Sequence, residues 1–144
     1  MAKFEVTVQS SMSVEDAFAH VAAFERVAEW DPGVAEGHRL TAGPLGIGTR
    51  FRIVARFLGR RVPLDYRITR FDPPSLVELT ADSGAVRSVD EITFTPAANG
   101  SAVIYRADLR LQGMVGRAAE PVLGVVFDRI GRRAAAGLRR ALNP

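Results

Sequence analysis

Residues 50–69, RFRIVARFLGRRVPLDYRIT, hold two alternations separated by one break. In the first, Phe51, Ile53, Ala55 and Phe57 interleave with Arg50, Arg52, Val54 and Arg56. In the second, Val62, Leu64, Tyr66 and Ile68 interleave with Pro63, Asp65, Arg67 and Thr69. A period of two places successive side chains on opposite faces, so each segment reads as a strand with one greasy side and one charged side. Gly59-Arg60 is the turn between them, and strands joined by so short a link run antiparallel. A sheet that is polar on one face must bury its other face against another layer.

The same reading extends outward. Upstream, Phe4, Val6 and Val8 alternate with Glu5, Thr7 and Gln9 as a first strand. Ser13 is the expected cap of a short helix, with Glu15 and Asp16 in its acidic first turn. A second helical piece runs from Phe24 to Glu29 and ends at Trp30-Asp31-Pro32-Gly33, since the residue before a proline avoids helical geometry. A weaker strand is expected over 34–42, then a glycine-rich loop over 43–48. Downstream, Asp72-Pro73-Pro74-Ser75 and Asp82-Ser83-Gly84 bracket a strand from Leu76 to Ala81. Strands over 86–95 and 102–111 are joined by a loop ending in Asn99-Gly100, a hairpin signal.

After Leu111 the period changes. Ala119, Leu123, Val126, Phe127, Ile130, Ala134, Leu138 and Leu142 recur at three and four residues, with Glu120, Arg129, Arg132, Arg133, Arg139 and Arg140 mostly opposite them. That pattern predicts an amphipathic helix of about six or seven turns, with Pro121 in its first turn. The expected fold class is therefore α+β, one domain over residues 1–144: strand, two short helices, six strands, long helix. The final helix is the one element long enough to cover the apolar face of the meander. A curved sheet closing on a single helix leaves a gap that side chains do not fill.

Composition narrows the chemistry. A chain of 144 residues with 47% apolar and 24% charged residues suits one globular core. There are no cysteines, which excludes disulfides and thiolate chemistry, and only His20 and His38 are present, so no metal and no cofactor are expected. The opening residues lack the apolar run of a signal peptide, and no stretch of about 18 uncharged apolar residues exists, so the expected location is cytoplasmic. Net charge is +3, and residues 128–144 alone hold five arginines against one acid. No aromatic residue interleaves with these arginines, so nucleic acid is not an expected partner, and the segment reads as a solvated helix face. Its alternative is a weak contact with an anionic surface. Monomer and homodimer both stay open.

Several segments together resemble a known superfamily: Phe24…Glu29-Trp30-Asp31-Pro32-Gly33, Leu40…Gly43-Pro44…Gly46-Ile47-Gly48-Thr49-Arg50-Phe51, Phe57-Leu58-Gly59-Arg60-Arg61, Phe71-Asp72-Pro73-Pro74, and Ile104-Tyr105-Arg106-Ala107-Asp108-Leu109. In this order and over the whole chain they are similar to the SRPBCC superfamily of START-like and polyketide cyclase/dehydrase proteins. The resemblance implies a helix-grip architecture, with a seven-stranded antiparallel sheet around the C-terminal helix and the two short helices closing one end. It also implies an apolar cavity for a lipid, polyketide, sterol or similar molecule, gated by the glycine loop and with Trp30 near its mouth. Fold membership does not select among carriers, cyclases and interaction modules.

The inward positions of strands and helix then nominate the ligand-binding set: Trp30, Phe51, Ile53, Ala55, Tyr66, Ile68, Leu79, Asp90, Ile92, Tyr105, Ala107, Leu109, Leu123, Phe127 and Ile130. Trp30 is either a ligand-facing lid or a core plug. The hydroxyls of Tyr66 and Tyr105 either enter the cavity or reach solvent at the sheet edge. Asp90 and Ser88 share phase with Val86, Ile92 and Phe94, unless a bulge swaps the two sets. A buried carboxylate needs a partner or a raised pKa, so Asp90 is a catalytic candidate with Tyr66 and Tyr105, or pairs with an arginine across the sheet. Asp31 reads as a turn cap. Gly43, Gly46 and Gly48 do not make a nucleotide loop, because the spacing is wrong and a strand follows where a helix is needed. The histidines have no acids at ligand spacing and read as surface residues. These features fit a binder or carrier of a small hydrophobic molecule. The competing readings are a cyclase/dehydratase-type enzyme moving protons in the same cavity, and a membrane-surface module using the basic helix.

Overall fold

A computed structural model describes residues 2–57, 59–84 and 86–144, with the side chains of 114–121 excepted. Seven antiparallel strands form one sheet: β1 (Ala2–Ser10), β2 (Val34–Arg39), β3 (Arg50–Phe57), β4 (Arg60–Asp72), β5 (Leu76–Asp82), β6 (Val86–Ala97) and β7 (Gly100–Leu111). Their spatial order is β1-β7-β6-β5-β4-β3-β2. Sequential hairpins give the β2-to-β7 meander, and β1 adds to β7 over the full register from Ala2↔Leu109 to Ser10↔Ser101. The first two strands thus lie at opposite edges. The chain crosses between them through α1 (Val14–Ala22) and the 3₁₀ helix Phe24–Glu29, which is why these close one end of the sheet.

Each short element has a local cause. Ser13 Oγ accepts the Asp16 amide at 3.1 Å and starts α1, and Ala17, Phe18, Val21 and Ala22 form the buried side of that helix. Phe18 lies 5.1 Å from Phe94 and 5.5 Å from Phe71, both ring to ring, so the α1 end of the sheet is filled with aromatic side chains. Phe24 in turn packs edge-on against Tyr66 at 5.2 Å and Phe51 at 6.1 Å. On the outer face the charges pair instead, for example Arg52 with Asp65 at 2.9 Å and Arg106 with Glu5 at 2.7 Å. Such exposed pairs contribute little each.

The last helix, α2 (Gly113–Ala141), packs mainly on β1. Two glycines let it approach β1 and the Trp30 backbone closely. A Cβ on Gly137 would lie 1.7 Å from the Trp30 carbonyl oxygen, and one on Gly131 would lie 2.4 Å from the Phe4 ring. The far end is tied to β1 by Ser10 Oγ donating to Leu142 O at 2.7 Å and Asn143 Nδ2 donating to Gln9 O at 2.9 Å. Arg129, Arg132, Arg133, Arg139 and Arg140 are all exposed, and Arg132 pairs with Asp128 at 2.8 Å.

Two boundaries differ from the sequence expectation. β2 stops at Arg39, and the backbone of 40–49 is held instead by single bonds such as Leu40 N to Arg50 O at 2.8 Å and Gly48 N to Ile68 O at 2.9 Å. The helix starts at Gly113, earlier than its apolar periodicity, which leaves Pro121 beyond the first turn. The side chains of Ala119, Glu120 and Pro121 lie outside the described residues.

Candidate ligand-binding site

A cavity of about 210 Å³ lies between the sheet and α2. Its position follows a clear rule along the strands. On β6, Val86, Ser88 and Asp90 line it, whereas Ile92 and Phe94 belong to the closed core. On β7, Tyr105, Ala107, Leu109 and Leu111 line it and Val103 does not. On β4 the border falls between Tyr66 and Ile68, on β3 between Ile53 and Phe51, and on β1 between Val6 and Val8. The inward residues of β5 are all core. The plugged half is the half under α1, and Phe24 stands at the border, packed on both Phe51 and Tyr66. The open half is roofed by α2 through Phe127, Ile130, Ala134 and Leu138.

Among the nominated residues, Trp30, Ile53, Ala55, Tyr66, Asp90, Tyr105, Ala107, Leu109, Phe127 and Ile130 line this cavity. Phe51, Ile68, Leu79, Ile92 and Leu123 are buried but do not. Period-two phase identifies the face of a strand, not the position along it where a helix fills the space. Of the lining residues not nominated, Val62, Leu64, Val86 and Leu111 share phase with nominated neighbours on their strands, and Phe4 and Val6 belong to the inward alternation of β1, from which no residue was nominated. The glycine loop contributes no described lining residue, and Ile47 at its tip is 74% exposed. Trp30 combines both of its readings: it is buried, meets Tyr105 edge-on at 6.2 Å and faces the cavity.

The polar end of the cavity is built on β6. Its register with β5 and β7 runs without a shift, so Ser88 and Asp90 stay on the inward face. Asp90 does not pair with an arginine. The nearby Arg106 stands opposite Glu91, on the outer face. Asp90 instead accepts Ser88 Oγ at 3.1 Å on Oδ1 and the Tyr105 hydroxyl on Oδ2. Tyr105 is a diagonal neighbour, opposite Ile92 in the register, and is long enough to reach across. Burial pushes the Asp90 carboxyl up to about 6, opposed by these two donors and reinforced by the charge of Asp31. Asp31 caps its turn by accepting the Gly33 amide at 2.8 Å, and it also lines the cavity. Its own carboxyl is raised to about 6 by burial. The phenols of Tyr66 and Tyr105 are raised above their ordinary value, first by burial and then by the Asp90 charge.

The histidines stand apart from this site. His38 is exposed and bonds Glu36 at 3.2 Å. His20 is half-buried rather than a surface residue, its Nε2 has no hydrogen-bond partner, and burial lowers its pKa. No group of three metal-ligating side chains occurs among the described residues, and none of the described helices is long and apolar enough to cross a membrane.

A curled seven-stranded antiparallel sheet holding a C-terminal helix is the helix-grip fold of START-like proteins. The solved START superfamily protein from Mycobacterium smegmatis superposes with a TM-score of 0.74 at 14% identity, covering 99% of this chain and 97% of that one. TTHA0849 from Thermus thermophilus superposes with a TM-score of 0.79 at 16% identity, covering 98% and 95%. Residues 1–143 match the family described as polyketide cyclase/dehydrase and lipid transport, and the chain belongs to that family. Uncharacterized protein Rv1546 of Mycobacterium tuberculosis (strain ATCC 25618 / H37Rv) is 32% identical over 124 residues, which is 83% of this chain and 86% of that protein. Family membership points to hydrophobic-ligand binding.

Proposed function

We propose that this protein binds, and carries, one small and mostly apolar molecule in the space between the sheet and α2. The cavity of about 210 Å³ with its largely aliphatic and aromatic wall is the observation that supports this reading most directly. Apolar cavities of about 150 Å³ already hold a benzene ring, so the volume suits a bicyclic aromatic or a chain of similar bulk. A few convergent polar groups at one end are what a pocket uses to orient its occupant. Titration of the protein with the neutral fluorophore 2-naphthylmethanol tests the idea. Saturable binding is expected, and it is expected to be lost in Ala55→Phe, which fills the cavity from β3. No saturable binding to the native chain would refute the reading.

The Asp90 cluster favours a second reading, proton transfer on a bound ligand. A carboxyl with a pKa of about 6 can give and take a proton near neutrality. Under that reading Asp90→Asn still binds the turned-over ligand but no longer converts it.

A further inference from the structure

We infer that the natural occupant of the cavity carries a basic nitrogen, protonated at neutral pH, and that this nitrogen sits against Asp90. The inference rests on the reading that the cavity holds a small apolar molecule, and it names the chemical class of that molecule.

Hydrogen-bond accounting supplies the first argument. The Tyr105 hydroxyl and the Ser88 hydroxyl both donate their proton to Asp90. A carboxylate offers about four acceptor positions and a hydroxyl two lone pairs. Asp90 therefore keeps acceptor positions open on both oxygens, while the two hydroxyls that touch it have spent their protons on it. This end of the cavity therefore offers open acceptor positions on a carboxylate. Its complement is a ligand that donates, not a ketone or carboxylate that accepts.

Charge is the second argument. Two carboxyl groups, Asp31 and Asp90, line the same small cavity. Among the described lining residues the one cationic side chain is Arg56, which is exposed and whose Nη1 donates to Pro32 O at 3.1 Å. That guanidinium is engaged by a backbone carbonyl, and the partners of Asp90 are the two hydroxyls. A buried carboxylate without a cation is costly. A protonated amine supplies the missing charge, and a carboxylate ligand would add a third negative group. The rings of Trp30, Tyr66 and Tyr105 in the cavity wall suit an ammonium better than an anion.

Three fluorophores with the same ring separate the possibilities at pH 7.5: 2-naphthylmethylamine, 2-naphthylmethanol and 2-naphthoate. The amine is expected to bind at least tenfold tighter than the alcohol, and the carboxylate more weakly than the alcohol. Asp90→Asn is expected to bring the amine-to-alcohol ratio close to one. The same ratio is expected to fall in the native protein at pH 5. Of the groups around Asp90, Asp31 titrates in the same range there, and Tyr66 and Tyr105 stay neutral throughout. An amine preference below tenfold in the native protein overturns the inference, and that comparison does not depend on any variant folding. Alcohol binding without an amine preference defeats this inference and leaves the cavity reading standing. Failure of all three probes to bind defeats both.

Discussion

Replacing Asp90 by asparagine is expected to make the protein more stable at alkaline pH. Asp90 is 6% exposed, and its carboxyl holds a folded-state pKa of about 6, against an ordinary value of 3.8. Because the folded value is the higher one, the native state holds the proton more tightly than the unfolded chain does. The stability linked to that proton is fully present below the unfolded pKa and is lost as pH rises through about 6. At 1.36 kcal/mol for each tenfold, the native protein loses about 2–3 kcal/mol between pH 4 and pH 8 through this one group. Asparagine has the same shape, stays neutral, and can still accept from Tyr105. The variant therefore escapes the loss. Urea unfolding of both proteins at pH 4 and pH 8 measures the effect as a difference of differences, which cancels any constant effect of the substitution. With a slope of about 2 kcal/mol per molar urea for a chain of this size, the midpoint gap between variant and native protein should move by about 1–1.5 M in favour of the variant. Asp31 titrates in the same window but is present in both proteins. A midpoint gap that is the same at both pH values, or that moves against the variant, would refute the buried, cation-free environment argued for Asp90. If the gap moves as expected, the native chain keeps a destabilising charge inside its cavity, which is how functional groups commonly persist.

Two further substitutions test the architecture. Gly137→Ala would gain about 1 kcal/mol of helix propensity, but its Cβ would run into the Trp30 carbonyl oxygen, a backbone atom that cannot rotate away. A net loss of about 2 kcal/mol is expected from denaturant unfolding, and an unchanged or raised stability would show that α2 does not press on Trp30. Ser13→Ala removes the acceptor for the Asp16 amide and should cost about 1 kcal/mol, read as a fall in Tm of about 2–4 °C.

Alternation in the chain located nearly all of the sheet, because a strand with one wet face must place every second residue inward. It also placed Ser88 and Asp90 inward, and the unshifted register of β6 keeps them there. The partner of Asp90 was less legible. An arginine across the sheet looked available, yet residues of opposite phase cannot meet a carboxylate on the inner face. Tyr105, two residues along from the pairing position, could be found only with the register in hand. The helix start was missed because the residues after Gly113 carry no apolar period to mark it.

Local chemistry along the chain was enough to set the meander, its inward face and the helix that covers it, since turns, caps and periodicity act over a few residues. It could not say which half of that inward face is packed and which is hollow. Phe51 and Ile53 are indistinguishable by pattern, yet one is sealed under Phe24 and the other borders the cavity. That division depends on where α1 and the 3₁₀ helix land and on how closely Gly131 and Gly137 admit α2. These are contacts between residues far apart in the chain, and only the folded structure brings them together.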